Sequence, residues 1–279
     1  MSTLRAILLH LDASPRSARR LVLARDLAAQ FDARVTALYA STPTTLSLPA
    51  VMAQGAGDML AMLQQLDRDY RDEAKALFDR TVSNTSVPIR WREVLDGLVI
   101  PGVVSQAHYA DLLILGQHDV SDPLTVGVPS DFVASVLLAS GKPALVVPYA
   151  DTWTSFAREV LIAWKPTRES AHAVSAALPL LQRARRIHLT IAGDSDAPSE
   201  QAHALEDYLR LHDVAAPIQR HAAVPSEAAG DGLLSLAADA DADLLVMGCY
   251  GHSRARELVL GGASRTILKS MTLPVLMAH

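Results

Sequence analysis

The sequence is poor in cysteine and aromatic residues and has no long apolar run, and each scarcity excludes a class of protein. Cys249 is the only cysteine among 279 residues, so no disulfide forms within the chain, and a reducing compartment fits. Aromatic residues make up 5% of the chain, whereas half of all residues are hydrophobic, with many Ala, Leu and Val, as in helices packed on a buried sheet. No apolar stretch approaches the ~18 residues that a membrane-spanning helix needs.

A strong excess of one charge is also absent. The formal net charge is −5 at pH 7, which argues against nonspecific binding to nucleic acid or to an anionic membrane. The short apolar run in residues 1–12 is broken by His10, so it predicts a first strand rather than a secretory signal. We therefore expect a cytoplasmic protein with neither a nucleic-acid nor a membrane partner.

Apolar segments typical of strands alternate with amphipathic segments typical of helices, and the whole series occurs twice. Residues 110–116 (ADLLILG) parallel residues 242–248 (ADLLVMG), and residues 143–146 parallel residues 274–277. Continuous apolar strands between helices predict parallel sheets that are covered on both faces. We expect an α/β fold of two tandem doubly wound, five-stranded parallel sheets, in domains 1–150 and 156–279.

The boundaries of the elements follow from apolar periodicity, caps and turn residues. Strands are predicted over residues 4–12, 33–39, 89–94, 111–115, 143–147, 160–164, 187–191, 217–222, 243–247 and 274–278. Helices are predicted over residues 16–31, 58–81, 99–107, 131–139, 169–183, 200–212, 227–240 and 263–270. The apolar stripe of the helix over residues 58–81 is interpreted mainly as core packing.

Only the second copy keeps a glycine-spaced loop after its fourth strand. Gly248, Gly251 and Gly261 have the spacing G-x2-G-x9-G. Glycines between the carboxyl end of a strand and a helix N-terminus let backbone N–H groups approach a phosphate, although a tight turn alone is the alternative. In the first copy Asp119 stands at the second glycine position, and with Asp122 it would repel a phosphate.

The order of the elements, this loop and the closing Pro-Val-Leu strand resemble the universal stress protein family, over essentially the whole chain as two fused copies. The resemblance implies a Rossmann-like fold in which ATP, or a related adenine nucleotide accompanied by Mg²⁺, lies at the carboxyl edge of the second sheet. The nucleotide-binding residues that it implies are Ala163, Trp164, Lys165, Ile191, Met247, Gly248, Gly251, His252, Gly261, Gly262, Ala263 and Ser264.

The sequence departs from the family pattern at both ends of this site. Lys165 stands where the family has an Asp, and Lys cannot accept a hydrogen bond from an adenine amino group, although it can pair with a phosphate or an acidic ligand. Gly262 replaces the usual Ser or Thr, so Ser264 is the nearest hydroxyl. The first copy keeps Asp12, which either caps the following helix or contacts a ligand.

The resemblance favours a stress-response regulator that binds nucleotide and hydrolyses it slowly or not at all. The alternatives are a nucleotide-free interaction scaffold and a slow ATPase or phosphotransferase. The loop contains no evident general base or metal-binding carboxylate pair, so no catalytic residue and no metal site are expected. Family members commonly dimerise through the fifth strand, so the two halves pair with each other or the chain forms a homodimer. The segment 41–57 either covers the first copy's site, binds an unidentified protein or is a plain surface loop.

Overall fold

The chain divides into two units, Leu4–Ser140 and Gly141–His279. We analysed a computed structural model that describes residues 4–47, 57–83, 85–95, 97–125, 127–150, 154–193, 197–249 and 262–279. Every predicted strand and helix occurs in it, with bounds that differ from the predicted ones by at most two residues. Within the described residues, no helix has the length and apolar character needed to cross a membrane.

The N-terminal unit is a parallel sheet covered by helices. Its strands are β1 (Ala6–Leu11), β2 (Arg34–Ala40), β3 (Ile89–Val94) and β4 (Leu112–Gly116), in the order β3-β2-β1-β4. Its helices are α1 (Ser17–Phe31), α2 (Gly57–Val82), α3 (Val99–Ala107) and α4 (Phe132–Ser140). Helix α1 packs on β1, β2 and β4, and strands β1 and β4 are almost wholly buried, as expected for a sheet with two covered faces.

The C-terminal unit repeats this plan with more strands. Its strands are β5 (Ala144–Val147), β6 (Glu159–Trp164), β7 (Arg186–Ile191), β8 (Ile218–Arg220), β9 (Leu244–Gly248) and β10 (Val275–Ala278), in the order β5-β10-β9-β6-β7-β8. Its helices are α5 (Arg168–Leu181), α6 (Pro198–Leu211), α7 (Ala229–Asp239) and α8 (Ala263–Ser270). Helix α5 packs on β6, β9 and β10, and Thr167 caps its N-terminus by accepting a hydrogen bond from the backbone N–H of Ser170.

Strand β5 alters the expected division into five strands per domain. It ends the first sequence repeat, yet it belongs to the C-terminal unit and pairs antiparallel with β10, with Val146 opposite Val275 and Ala144 opposite Met277. Each strand covers a backbone edge of the other by pairing with it. All residues of both strands are buried, so the side chains on both faces are also covered. The doubly wound α/β class is confirmed, with four strands in one unit and six in the other.

Helix α2 packs less than its sequence predicted. Of its 26 residues only Ala74 and Phe78 are buried, whereas Leu60 and Leu66 of the predicted core stripe are exposed. At about 1.5 Å per residue the helix is roughly 39 Å long, whereas a seven-residue strand such as β2 spans about 23 Å. The helix is therefore longer than the strands beside it, and most residues of its first turns are exposed in the part of the chain that the structure describes.

Candidate functional site

In each unit the direction of strand addition reverses beside the first strand. The chain passes from β1 outward to β2 and β3 and then returns to the other side of β1 with β4, and β6 has the same relation to β9. Ligands of open α/β sheets bind beyond the carboxyl ends of the strands at this reversal. The two candidate sites are therefore the crevice between β1 and β4 and the crevice between β6 and β9.

The first crevice contains a buried ion pair. Asp12 follows β1, and its Oδ2 lies 2.9 Å from Nη2 of Arg20. Both residues are at most 5% exposed. Burial opposes the Asp12 charge, but Arg20, His10 and a hydrogen bond from Ser17 outweigh burial and hold the pKa of this carboxyl below its usual value. Asp12 also accepts from the N–H of Ser14, ahead of the helix, so the prediction that it caps α1 is wrong.

The glycine after β4 makes room for this ion pair. A Cβ atom added to Gly116 would lie 2.0 Å from Nη1 of Arg20, which no pair of non-bonded atoms tolerates. Gly116 therefore leaves room for the Arg20 guanidinium, which a larger residue would displace from its present position. The first glycine of the pattern thus contacts the protein's own side chain in the N-terminal unit.

The predicted acidic residues of the first crevice are compensated inside the unit. Arg16, at the start of α1, contacts Asp119 Oδ2, and its Nη1 lies 3.0 Å from Oδ2 of Asp122. Ser14 donates a hydrogen bond to Asp122 over 2.8 Å, and the backbone N–H and hydroxyl of Ser121 both donate to Asp119. The hydrogen bonds from Ser121 and the charge of Arg16 together lower the pKa of Asp119, against the effect of burial.

The space left in this crevice is small. It is lined by His10, Asp12, Arg20 and Phe132 among others, and the centre of a water-sized sphere can occupy only about 20 Å³ of it. That volume suffices for one water molecule and is far too small for a nucleotide. His10 is 1% exposed and donates from Nε2 to the carbonyl of Ala40 over 2.9 Å, and burial lowers its pKa to about 4, so the ring is neutral at pH 7.

In the second crevice the first glycine touches a helix. A Cβ atom added to Gly248 would lie 2.5 Å from the backbone nitrogen of Ser170 and 2.7 Å from the carbonyl carbon of Glu169. Gly248 thus lets the first turn of α5 approach the end of β9 closely. Glu169 is 4% exposed, and its carboxylate accepts a hydrogen bond from Nε of Arg168 over 2.5 Å. Burial opposes the charge of this carboxylate, but the bond from Arg168 and other hydrogen bonds outweigh burial and lower its pKa.

Lys165 crosses from the end of β6 towards the end of β7. A Cβ atom added to Gly193 would lie 3.7 Å from the Lys165 ammonium and 3.2 Å from the hydroxyl of Ser226. Gly193 has a φ of +100°, in the left-handed region that favours glycine. Lys165, which replaces the family Asp, therefore lies beside the segment that follows β7.

The structure places the described members of the predicted site on three strand ends and one helix start. Ala163, Ile191 and Met247 are buried, and Trp164, Lys165 and Gly248 are half-buried where their strands end. Gly262 is the N-cap residue of α8, and Ala263 and Ser264 form its first turn, with Ser264 buried. Gly251, His252 and Gly261 lie outside the described residues. Cys249 is buried.

Comparison with known proteins agrees with this geometry. A family model described as the universal stress protein family matches residues 157–279. Those residues are a universal stress protein domain. Among curated proteins, no sequence matches the chain.

Solved structures of universal stress proteins share the fold of both halves. A universal stress protein from Archaeoglobus fulgidus DSM 4304 is 16% identical, with a TM-score of 0.67, over 98% of this chain and 95% of that chain. A protein described as a putative universal stress protein from Pseudomonas aeruginosa UCBPP-PA14 is 17% identical, with a TM-score of 0.57, over 98% of this chain and 92% of that chain. A universal stress protein solved in complex with cAMP is 24% identical over 53% of this chain and 98% of that chain, with a TM-score of 0.33.

The universal stress protein domain differs from the N-terminal unit at each charged position of the crevice. When the two repeats are aligned in sequence by the ends of β1 and β6 and of β4 and β9, Asp12, Arg16, Arg20 and Asp119 correspond to Lys165, Glu169, Ala173 and Gly251. Sequence reasoning missed the roles of Arg16 and Arg20, because their partners are remote in the chain. An Arg four and eight residues after a strand-end Asp, on one face of the following helix, is the signal that could have found them.

Proposed function

We propose that the universal stress protein domain binds ATP or a related adenine nucleotide, and that the chain is a cytoplasmic stress-response regulator. The nucleotide lies beyond the carboxyl ends of β6, β7 and β9, at the reversal of strand order. Mg²⁺ arrives with the nucleotide, held by its phosphates. Binding biases a conformation or exposes a surface for a partner according to nucleotide supply.

The observation that carries this proposal is the pair of glycines at which β9 ends and α8 begins. Gly248 ends the strand, and Gly262 is the N-cap of α8 without forming a side-chain cap bond. The first turn of α8 contains no acidic residue, and Arg265 within it is exposed. A helix N-terminus with these properties favours an anion, because its first N–H groups and its dipole both attract negative charge.

Lys165 supports a ligand that brings negative charge to this edge. Its ammonium lies near Gly193 and Ser226, so it is directed across the edge from β6 to β7. An ammonium donates hydrogen bonds and accepts none. We expect it to contact a phosphate or a ribose hydroxyl, and the adenine ring to be held by backbone groups.

The proposal is tested by mass spectrometry of small molecules released from freshly purified protein, together with calorimetric titration of ATP. We expect a stoichiometric adenine nucleotide or micromolar affinity, about −8 kcal/mol, at one site per chain. Gly251→Glu should abolish binding, because a carboxylate in the phosphate loop repels the phosphates and fills their space.

Gly57→Glu is the matched control, since it adds the same side chain at a glycine with no atom within 4 Å of an added Cβ. Equal ATP affinity in both variants would contradict the site. A folded protein with neither bound nucleotide nor heat of binding would favour the interaction scaffold. Steady ATP turnover that Gly251→Glu removes and Gly57→Glu retains would favour the slow enzyme.

A further inference from the structure

In the N-terminal unit one guanidinium holds two buried carboxylates. The side chains of Asp119 and Asp122 are 7% and 10% exposed, and both contact Nη1 of Arg16, which is 36% exposed. Ser14 adds a hydroxyl to Asp122. A guanidinium and a hydroxyl at the start of a helix are the groups that proteins use to bind phosphate and other oxyanions, and here they bind the protein's own carboxylates.

A second guanidinium lines the same crevice. Arg20 is 96% buried, and its Nη2 bonds to Asp12 and to the hydroxyl of Ser17. Its Nε has no hydrogen-bond partner within the described parts of the chain. Buried hydrogen-bond donors are nearly always paired. A buried Nε without an acceptor therefore indicates that the crevice has more hydrogen-bond donors than the acceptors around it satisfy.

The second repeat has neither the acid nor the arginine of this arrangement. The position of Asp119 is occupied by Gly251, and the position of Arg16 by Glu169. The first repeat therefore has both Asp119, at the second glycine position, and Arg16, which neutralises it. The second repeat keeps the glycine at that position and has no arginine at the position of Arg16. Two unrelated substitutions would not need to match in this way.

We propose that the N-terminal unit is self-liganded: the carboxylates of Asp119 and Asp122 occupy, beside Arg16, the place that the phosphate of a ligand would take. The unit closes its strand-end crevice without nucleotide, so the chain has one nucleotide site at most. Removing the two carboxylates uncovers a site for inorganic phosphate. This inference concerns residues 4–140 and does not depend on nucleotide binding by residues 157–279.

The test is calorimetric titration of inorganic phosphate into the full chain and into the variant Asp119→Gly with Asp122→Ala. The Gly copies the second repeat and leaves space for a phosphate. We expect the variant to bind phosphate at least about tenfold more tightly than the unchanged chain, because two repelling charges are lost and one guanidinium is released. Adding Arg16→Ala to the variant should return the affinity to that of the unchanged chain.

The matched control is Asp26→Ala with Asp131→Ala, which removes two exposed carboxylates from the same unit and changes the net charge equally. The C-terminal unit is identical in all these proteins, so any phosphate that it binds cancels in the comparison. A folded variant that binds phosphate no better than this control would overturn the proposal. So would a tenfold gain that survives Arg16→Ala.

A single substitution keeps the test decisive if the double variant does not fold. Asp122→Ala leaves Asp119 and Ser121 bonded to each other and removes only one of the two carboxylates that contact Nη1 of Arg16. We expect a smaller gain in phosphate affinity, which the addition of Arg16→Ala again removes. No gain over an Asp131→Ala control in a folded protein would refute the self-liganded state.

Discussion

Replacing His10 by Gln should reduce the amount of stability that the N-terminal unit loses as the pH falls. His10 is buried in β1, packs against the Phe132 ring at 4.5 Å between centroids and donates to Ala40. A Gln amide can keep that donor but has no proton to gain. The substitution therefore separates the titration of the ring from its hydrogen bond.

The magnitude follows from the change in pKa. Burial lowers the pKa of His10 from 6.5 to about 4, with Arg20 acting in the same direction and Asp12 opposing it. Between those pH values the unfolded chain binds a proton that the folded chain does not, so the free energy of unfolding falls as the pH falls. At about 1.36 kcal/mol per pKa unit, the full loss between pH 6.5 and 4 is about 3 kcal/mol.

The measurement is urea unfolding at a series of pH values, followed by fluorescence of Trp91, which packs against Tyr39 and Phe78 in the same unit. Trp153→Phe and Trp164→Phe in every protein leave Trp91 as the only reporter. The stability lost between pH 6.5 and 4 should be about 3 kcal/mol smaller in His10→Gln than in the parent.

His108→Gln is the control, since it makes the same exchange at an exposed residue of this unit. Because His221, whose pKa burial also lowers, is present in all the proteins, its contribution cancels. Parallel stability curves for the parent and His10→Gln over this pH range would refute the assignment of a buried, neutral His10.

Two further changes test the packing of the two crevices. Gly248→Ala should destabilise its unit by about 1–3 kcal/mol, because the added Cβ meets the backbone of Ser170, which must shift. The control Gly57→Ala has open space around the added Cβ and should not lower the stability. Equal melting temperatures of the two variants would contradict the close contact at Gly248. Arg20→Met should cost about 3–5 kcal/mol in the Trp91 assay by leaving the Asp12 charge buried and unpaired. The double variant with Asp12→Asn should recover most of this loss, and additive losses would show that the two side chains do not act as a pair.

The order of the elements could be predicted because it depends on residues that are neighbours in the chain. The apolar run ADLLVMG ends where β9 ends, and the periodic apolar residues after Thr167 form α5. Apolar spacing and turn residues act over a few positions, so a linear reading is enough to find them. The family resemblance implied a site at the ends of β6, β7 and β9, and these strands are neighbours in the sheet, in the order β9-β6-β7.

The contents of the crevices could not be predicted in the same way, because the partners are far apart in the sequence. Arg16 and Asp122 are 106 residues apart, and Arg20 meets Gly116 only after β1 and β4 have paired. From the sequence, Asp119 was expected to repel a phosphate, and nothing local indicated which cation would neutralise it.

The sequence by itself therefore determined the α/β class, the two repeats and the positions of the glycines, since these follow from local pattern and composition. Only the tertiary structure decided that β5 pairs with β10, that α2 extends beyond its sheet, and that the first crevice is filled by its own ion pairs. The physical reason is that pairing of strands and of buried charges depends on which distant surfaces meet, and that is settled by the packing of the whole unit.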